Sequence, residues 1–298
     1  MSNSSQTPGD RIKEETMEDL WNVWYSELHN HNSGLTLKVK RVLESSDSEF
    51  QRIDILENED FGKLLVLYGS LMVCDNDNNA YNEMIAHVPL FCHPRPQRVL
   101  IIGGGDCGAL TEVLKHPEVD ECVMCEIDEK VVEVSQRHFP RLAAGLADPR
   151  ARVVYEDGKK YIEESAERFD LVLLDLSDPV GPAADLFQMP FHRKVFERLN
   201  DDGIMAAQSE SPFYNQQTVK MMYANLRKVF PLVRMYTCFM PIYPSSYWSF
   251  AFCSKEIDPI RDFDEARWKK LGLQTRYYNA ETHRAAFALP QFVKRLLD

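Results

Sequence analysis

The stretch Val99–Asp106, VLIIGGGD, decides how this chain is read. Four apolar residues in a row fit a strand buried on both faces, and they break directly into three glycines. Glycines there allow a tight turn and a close approach of the backbone to a ligand, as in a nucleotide-binding strand-to-helix turn. The spacing Gly103-x-Gly105-x-x-Gly108 alone is shared by sites for NAD, FAD and S-adenosyl compounds. Asp106 discriminates among them. A pyrophosphate at this helix N-terminus would meet a carboxylate, so the acid selects against an anionic group and for a cationic one. A nucleoside carrying a free ammonium suits the turn better than a dinucleotide.

Working outward, strands and helices alternate. Strand ECVMCEID, helix EKVVEVSQRHF, strand RVVYEDG, helix KKYIEESAE, strand DLVLLDL, helix PFHRKVFERL and strand GIMAAQS follow the glycine turn and its helix ALTEVLKH. This order implies a parallel, Rossmann-type sheet covered on both faces. Upstream, YNEMIAHVPLF predicts a helix stopped by His93-Pro94-Arg95-Pro96. Downstream, MYTCFMPIYP and YWSFAFCSK predict a hairpin at the sheet edge, followed by a helical tail. Between Leu35 and Cys74 the pattern is β: LTLKVKRV and FQRIDIL alternate, and KLLVLYGSLMV forms two strands around Gly69-Ser70. The expected division is a polar tail at 1–20, a small antiparallel β-domain at 21–79 and an α/β domain at 80–298. The β-unit is too thin to be stable alone, so it is expected to pack on the remainder or on a second subunit.

The chain has 298 residues, enough for one large core and a small accessory unit. A net charge of −12 disfavours nucleic acid and anionic membranes as partners, and suits attraction of a polycationic small molecule. The start MSNSSQTPGD is polar, unlike a signal peptide, and no apolar run reaches membrane-spanning length. Seven cysteines, an odd number scattered over the chain, read as reduced thiols of a cytoplasmic protein. Cys122 and Cys125 have the spacing of a redox or zinc half-site. In a strand, however, residues three apart face opposite ways, so both read as core thiols.

Ligands of open α/β sheets bind at the carboxyl ends of the strands, and four successive strand ends here carry acids: Asp106, Glu126, Asp157 and Asp175. Glu126 stands where an acid takes the hydroxyls of a nucleoside ribose. Asp157 could bond an adenine amino group, with Gly158 letting the base lie close. Asp175 and Asp178 are three residues apart at one strand end, and like charges repel unless a dication lies between them. A metal or a diamine would answer that need; no His or Cys cluster assists a metal. A helix-capping Asp before proline accounts for Asp178 but not for Asp175.

Taken in order, GGGD, CEID at 125–128, EDG at 156–158, DLSDPVGPAADLF at 175–187, Tyr81-x-Glu83-Met84, Tyr243-Pro244-Ser245 and the tail RYYNAETHRAAFALP resemble the polyamine aminopropyltransferases, the spermidine synthase family. The resemblance spans about residues 21–298. It implies a methyltransferase-like α/β domain behind a β-domain, and dimers or tetramers. It also implies aminopropyl transfer from decarboxylated S-adenosylmethionine, as co-substrate rather than recycled cofactor, to putrescine. By position, Asp106 would hold the donor's ammonium, Glu126 its ribose and Asp157-Gly158 its adenine, with Gln51, Gly103, Gly105 and Pro182 completing the donor site. Asp175 matches the general base. Tyr81, Asp178, Tyr243 and Gln208 match residues that hold the diamine, and Asn82 stands where a longer side chain is usual. Cys107 replaces a usual glycine, which requires a backbone angle without a strong positive-φ demand; Leu176 replaces a small residue. The displacement itself needs neither metal nor covalent intermediate, because the leaving thioether is neutral. The rival readings are an S-adenosylmethionine-dependent N-methyltransferase of a small amine, the same transfer to another acceptor such as agmatine, and a non-catalytic scaffold.

Overall fold

The computed structural model describes residues 22–76, 78–177 and 181–298. Strands β1 (Val23–Asn30) and β2 (Ser33–Val39) form an antiparallel hairpin. Strands β3 (Arg41–Asp47), β4 (Arg52–Asn58), β5 (Gly62–Leu67) and β6 (Ser70–Cys74) form a four-stranded antiparallel sheet in chain order. The run LTLKVKRV, expected as one strand, divides at Lys40. Leu37, before the break, packs with the main core, whereas Leu43, just beyond the run, packs against the cluster of Ile53, Leu65 and Val134. Strand β1 lies ahead of the stretch read as β. Its alternation of half-buried and exposed positions is carried by Tyr25, Glu27 and His29, which do not look like a buried face.

The remainder starts with α1 (Asn78–Cys92) and then alternates: β7 (Arg98–Gly103), α2 (Gly108–Leu114), β8 (Glu121–Glu126), α3 (Glu129–His138), β9 (Ala151–Tyr155), α4 (Gly158–Glu164), β10 (Phe169–Asp175), α5 (Met189–Arg198) and β11 (Leu199–Gln208). Helix α6 (Gln216–Leu226), which the reading of the sequence did not include, leads to β12 (Leu232–Phe239) and β13 (Tyr247–Ser254). The tail holds α7 (Glu265–Leu271), α8 (Ala280–Ala285) and α9 (Gln291–Leu297). The seven-stranded sheet runs β12-β13-β11-β10-β7-β8-β9, with the last five parallel and the hairpin antiparallel at the edge. The expected fold is found.

Each central strand feeds two cores at a period of two. Val99 and Ile101 join the core under α1 and α2, while Leu100 and Ile102 join the one under α4, α5 and α6. Cys122 and Cys125 divide the same way, and all seven cysteines are buried free thiols.

One expectation about the glycine turn is overturned. Cys107 has φ +66° and ψ 6°, a left-handed conformation, at the residue that caps α2. The chain must reverse between Asp106 and Gly108 to start the helix, and Cys107 N donates to Gly104 O at 2.8 Å within that reversal. A side chain there costs about 1–2 kcal/mol, and complete burial of the thiol offsets part of it. Replacing Cys107 by glycine should therefore change unfolding free energy by no more than about 1 kcal/mol. Replacing it by valine should cost at least about 2 kcal/mol. Urea denaturation of the two variants distinguishes this from an unstrained cysteine, for which valine would be the milder change.

Candidate active site

The chain leaves β7 toward β8 and β9, then returns to build β10 and β11 on the other side. The crevice between the carboxyl ends of β7 and β10 is thus the switch point of the sheet, where such folds bind ligands. Gly103 pairs with Asp175 across it. A Cβ on Gly103 would overlap the Asp175 carbonyl, and Gly104 N donates to that same oxygen at 2.9 Å. The Asp175 carboxylate sits over Gly104, its Oδ2 buried with no partner among the described residues. Asp106 is held by the first amide of α2: Gly108 N donates to its Oδ1 at 2.6 Å. Behind Gly105 stands Glu126, whose Oε2 lies 3.1 Å from where a Cβ would be, so Gly105 is needed for close approach.

Three carboxylates therefore converge on one glycine turn. Each keeps only a partly exposed edge. Loss of hydration raises Asp175 to about 8, the charge of Asp106 adds to this, and a hydrogen bond from Tyr81 opposes it. Burial likewise raises Glu126 to about 7, against a hydrogen bond from Asp128 N to its Oε1 at 2.9 Å. Asp106 is raised by burial and lowered by Gly108 N. Such a site is short of positive charge.

Tyr81, in the first turn of α1, turns its hydroxyl toward Asp175, and burial keeps the phenol protonated. Its ring packs edge-on against Tyr243 at 5.8 Å and against Phe250 at 5.1 Å. The Tyr243 hydroxyl donates to Met72 O at 2.8 Å, which ties β13's approach to the N-terminal sheet. Beside Tyr81 opens a cleft of about 120 Å³, lined among others by Glu27, His29, Gln208, Glu210 and Tyr243. Gln208 Oε1 accepts from Glu210 N at 3.0 Å, and Glu210 Oε2 accepts from Asn215 Nδ2 at 2.6 Å. Glu27 accepts from Leu71 N at 2.8 Å and from the Tyr25 hydroxyl at 3.0 Å.

Glu27 and Glu210 were not anticipated. Glu210 follows β11 by two residues, so the strand-end rule that selected the other four acids would have reached it. Glu27 carries no such signal, because β1 joins the cleft only through the tertiary fold.

Other anticipated residues fall as follows. Gln51 Nε2 donates to Asp128 Oδ2 at 3.0 Å beside the Ser48 hydroxyl at 2.7 Å, so the β3–β4 loop is tied to the cap of α3 near Glu126. Asp157 is exposed and caps α4, accepting from Lys159 N at 2.8 Å. A Cβ on Gly158 would overlap Ile102, so packing of α4 on β7 already requires this glycine, independent of any base. Asn82 does not line the cleft; it is buried against Gly108, with Oδ1 lacking a partner among the described residues. Leu176 does line it. Asp178 lies outside the described residues, as does the side chain of Pro182.

Among the described residues, His93, Asp170 and Asp202 bring ligand atoms together at the opposite ends of the strands. Their chemistry does not fit a cation. His93 Nδ1 accepts from Arg95 N at 3.2 Å, which puts the ring proton on Nε2, the atom facing Asp202. Asp170 already accepts from Gln97 N, Arg98 N and Asn200 Nδ2.

Raised carboxylates destabilise an empty site. Stability contributed by protonated Asp175 is complete below its unfolded value of 3.8 and is lost as pH rises through about 8. Ligand-free Asp175→Asn should therefore melt higher than wild type at pH 8, by about 2–4 °C for each kcal/mol relieved. The advantage should shrink as pH falls toward 4. A melting difference that does not change with pH would contradict the burial assigned to Asp175.

Residues 78–265 match the spermine/spermidine synthase domain, and residues 23–75 match the spermidine synthase tetramerisation domain. A polyamine aminopropyltransferase of Caldicellulosiruptor saccharolyticus is 42% identical over 93% of this chain and 98% of its own. One of Thermotoga maritima is 43% identical over 95% and 97%. A spermidine synthase solved in complex with the transition state analogue AdoDATO superimposes with a TM-score of 0.90 at 43% identity, covering 95% of this chain and 98% of that one. The spermidine synthase structure from Thermotoga maritima gives 0.87 at 42%, with the same coverage. With its fold and nearly its whole length in common with these proteins, the chain belongs to the spermine/spermidine synthase family and is an aminopropyltransferase.

Proposed function

We propose that the enzyme transfers the aminopropyl group of decarboxylated S-adenosylmethionine to putrescine, giving spermidine and 5′-methylthioadenosine by direct displacement. The observation that carries this reading is the convergence of Asp106, Glu126 and Asp175 on one glycine turn, beside a cleft bearing Glu27 and Glu210. A sulfonium nucleoside with an ammonium on its transferable arm supplies the positive charge the turn lacks, and a diamine supplies it to the cleft.

In this reading Glu126 takes the ribose hydroxyls and Asp106 the donor's ammonium. Asp157 and Gly158, with Gln51 and Pro182, would border the adenine. Asp178 and Gln208 orient the diamine, Tyr243 flanks its path, and the far ammonium faces Glu27 and Glu210. The attacking nitrogen must first lose a proton held with a pKa of ~10.4 by analogy with lysine. Asp175 takes it. Burial brings this carboxyl to about 8, far closer to the amine than an ordinary aspartate. Tyr81 holds the carboxylate in place by its hydrogen bond. The nitrogen lone pair then attacks the carbon attached to sulfur, the carbon–sulfur bond breaks, and its electron pair leaves with the neutral thioether. Holding nitrogen, carbon and sulfur in line contributes the rest of the rate.

The N-terminal strands β1 and β3 leave Val23, Trp24 and Val42 more than half exposed. With the tetramerisation-domain match over the same residues, we infer a homodimer or homotetramer formed through this face. No helix among the described residues is long and apolar enough to cross a membrane. The seven free thiols agree with a cytoplasmic setting.

Two outcomes test the reading. Wild type incubated with decarboxylated S-adenosylmethionine and putrescine should yield spermidine by mass spectrometry, and Asp175→Asn should lower kcat by about 10²–10⁴-fold with donor affinity little changed. Near-normal turnover would remove Asp175 as the base, and an N-methylated product would replace the reaction. Ordinary S-adenosylmethionine would set its carboxylate against Asp106, a repulsion of about 4 kcal/mol at ~4 Å and an effective dielectric near 20. Asp106→Asn should therefore weaken binding of the decarboxylated donor and narrow its preference over the ordinary one. An unchanged ratio of the two affinities would exclude this role.

A further inference from the structure

Glu83 stands two residues after Tyr81 on α1 and takes no part in the site. It is an acid only 1% exposed, and backbone amides take the place of a cationic partner. Three consecutive backbone amides of the C-terminal tail surround it. Arg276 N donates to Oε1 at 2.8 Å, and Tyr277 N and Tyr278 N donate to Oε2 at 2.8 and 2.7 Å. Amides in succession make an anion-binding concavity, and hydrogen bonds to a charged acceptor are the strong ones. The two partners are nearly two hundred residues apart in sequence, so this contact has no local origin.

Residues two apart on a helix are separated by about 200° around its axis. Tyr81 and Glu83 therefore lie on nearly opposite sides of α1, one turned to Asp175 and the other to the tail. The same tail holds the rest of the helix. Tyr278 stacks on Phe91 at 5.7 Å, and the Arg267 guanidinium accommodates the last carbonyls, donating to His93 O at 2.8 Å and also to Leu90 O. Asn82, between Tyr81 and Glu83, is wedged against Gly108 at the start of the helix that follows Asp106. Rotation of α1 is thus set by Glu83 on one side and read out by Tyr81 on the other.

We propose that Glu83 is a positioning residue for the transfer reaction: by gripping the backbone of residues 276–278 it fixes the rotation of α1 and holds the Tyr81 hydroxyl on Asp175. The inference rests on the role given to Asp175 above. The groups that face Asp175 are Asp106 and Cys107 from the glycine turn, Glu126 from β8 and Tyr81 from α1. Only the last is tied to Glu83. Its hydrogen bond favours the ionised carboxylate, so loosening it raises the pH at which Asp175 becomes a usable base.

The test is Glu83→Gln, which keeps the shape but removes the charge and sets an amide nitrogen against amide donors. Assayed with decarboxylated S-adenosylmethionine and putrescine, kcat should fall on the order of tenfold to a hundredfold. The acid limb of the kcat profile should move up by about one pH unit, while the calorimetric Kd of the donor stays within about twofold. Glu83→Asp keeps the charge on a shorter arm and should show the same changes in smaller size, so it serves if the glutamine variant does not fold. Val293→Ala, in the buried face of α9, is the comparison for lost stability alone and should leave the acid limb in place. A folded Glu83 variant that melts lower but keeps wild-type kcat and acid limb would overturn the proposal. Wild-type turnover in the same assay checks the underlying reaction separately.

Discussion

Carboxylates crowded where water hardly reaches are the constraint on which this structure turns. Asp106, Glu126 and Asp175 come together only because Gly103, Gly104 and Gly105 leave no side chains between them. An ionised group loses hydration on burial and repels its like neighbours, so the empty turn holds its protons at pH values where a surface aspartate has lost them. Bringing cations to the turn relieves both costs at once. On the mechanism proposed above, binding, donor choice and the strength of the base would all follow from one electrostatic deficit, with no separate device needed for each.

Maintaining that deficit takes structure from well outside the parallel sheet. The β3–β4 loop reaches across to Asp128 through Ser48 and Gln51, and so braces the strand end that carries Glu126. Tyr243 reaches back to Met72, joining the sheet-edge hairpin to the N-terminal unit. The small β-unit, too thin to stand alone, therefore closes the cleft as well as covering the core. Helix α1 is the third support, pinned between the tail and the start of α2.

Much of this was legible in the chain. Apolar runs such as VLIIG and DLVLLDL are long enough, and bounded clearly enough, to be strands of a covered parallel sheet, and the acids at their carboxyl ends follow from the geometry of such sheets. The glycine turn and Asp175 were found this way, and the structure brings them together. What failed was whatever depends on the partner rather than the pattern. LTLKVKRV reads as one strand, yet it divides at Lys40, beside the Lys40-Arg41 pair that interrupts its alternation, and Leu37 and Leu43 on either side pack into different cores. The conformation of Cys107 is imposed by the reversal into α2, against its own preference. Gly158 has a packing reason that only the position of Ile102 reveals. Glu27 reaches the cleft from a strand whose alternation is too polar to announce itself.

Proton counting on binding examines the electrostatic account most directly. Calorimetric titration of the ligand-free enzyme at pH 7, in buffers of different ionisation enthalpy, gives the protons exchanged when each nucleoside enters. Because Asp175 and Glu126 titrate at about 8 and about 7 when the site is empty, the doubly positive decarboxylated donor should expel about one proton more than uncharged 5′-methylthioadenosine. Equal proton exchange for the two nucleosides would contradict it, since the carboxylates would then be indifferent to the charge they are said to await.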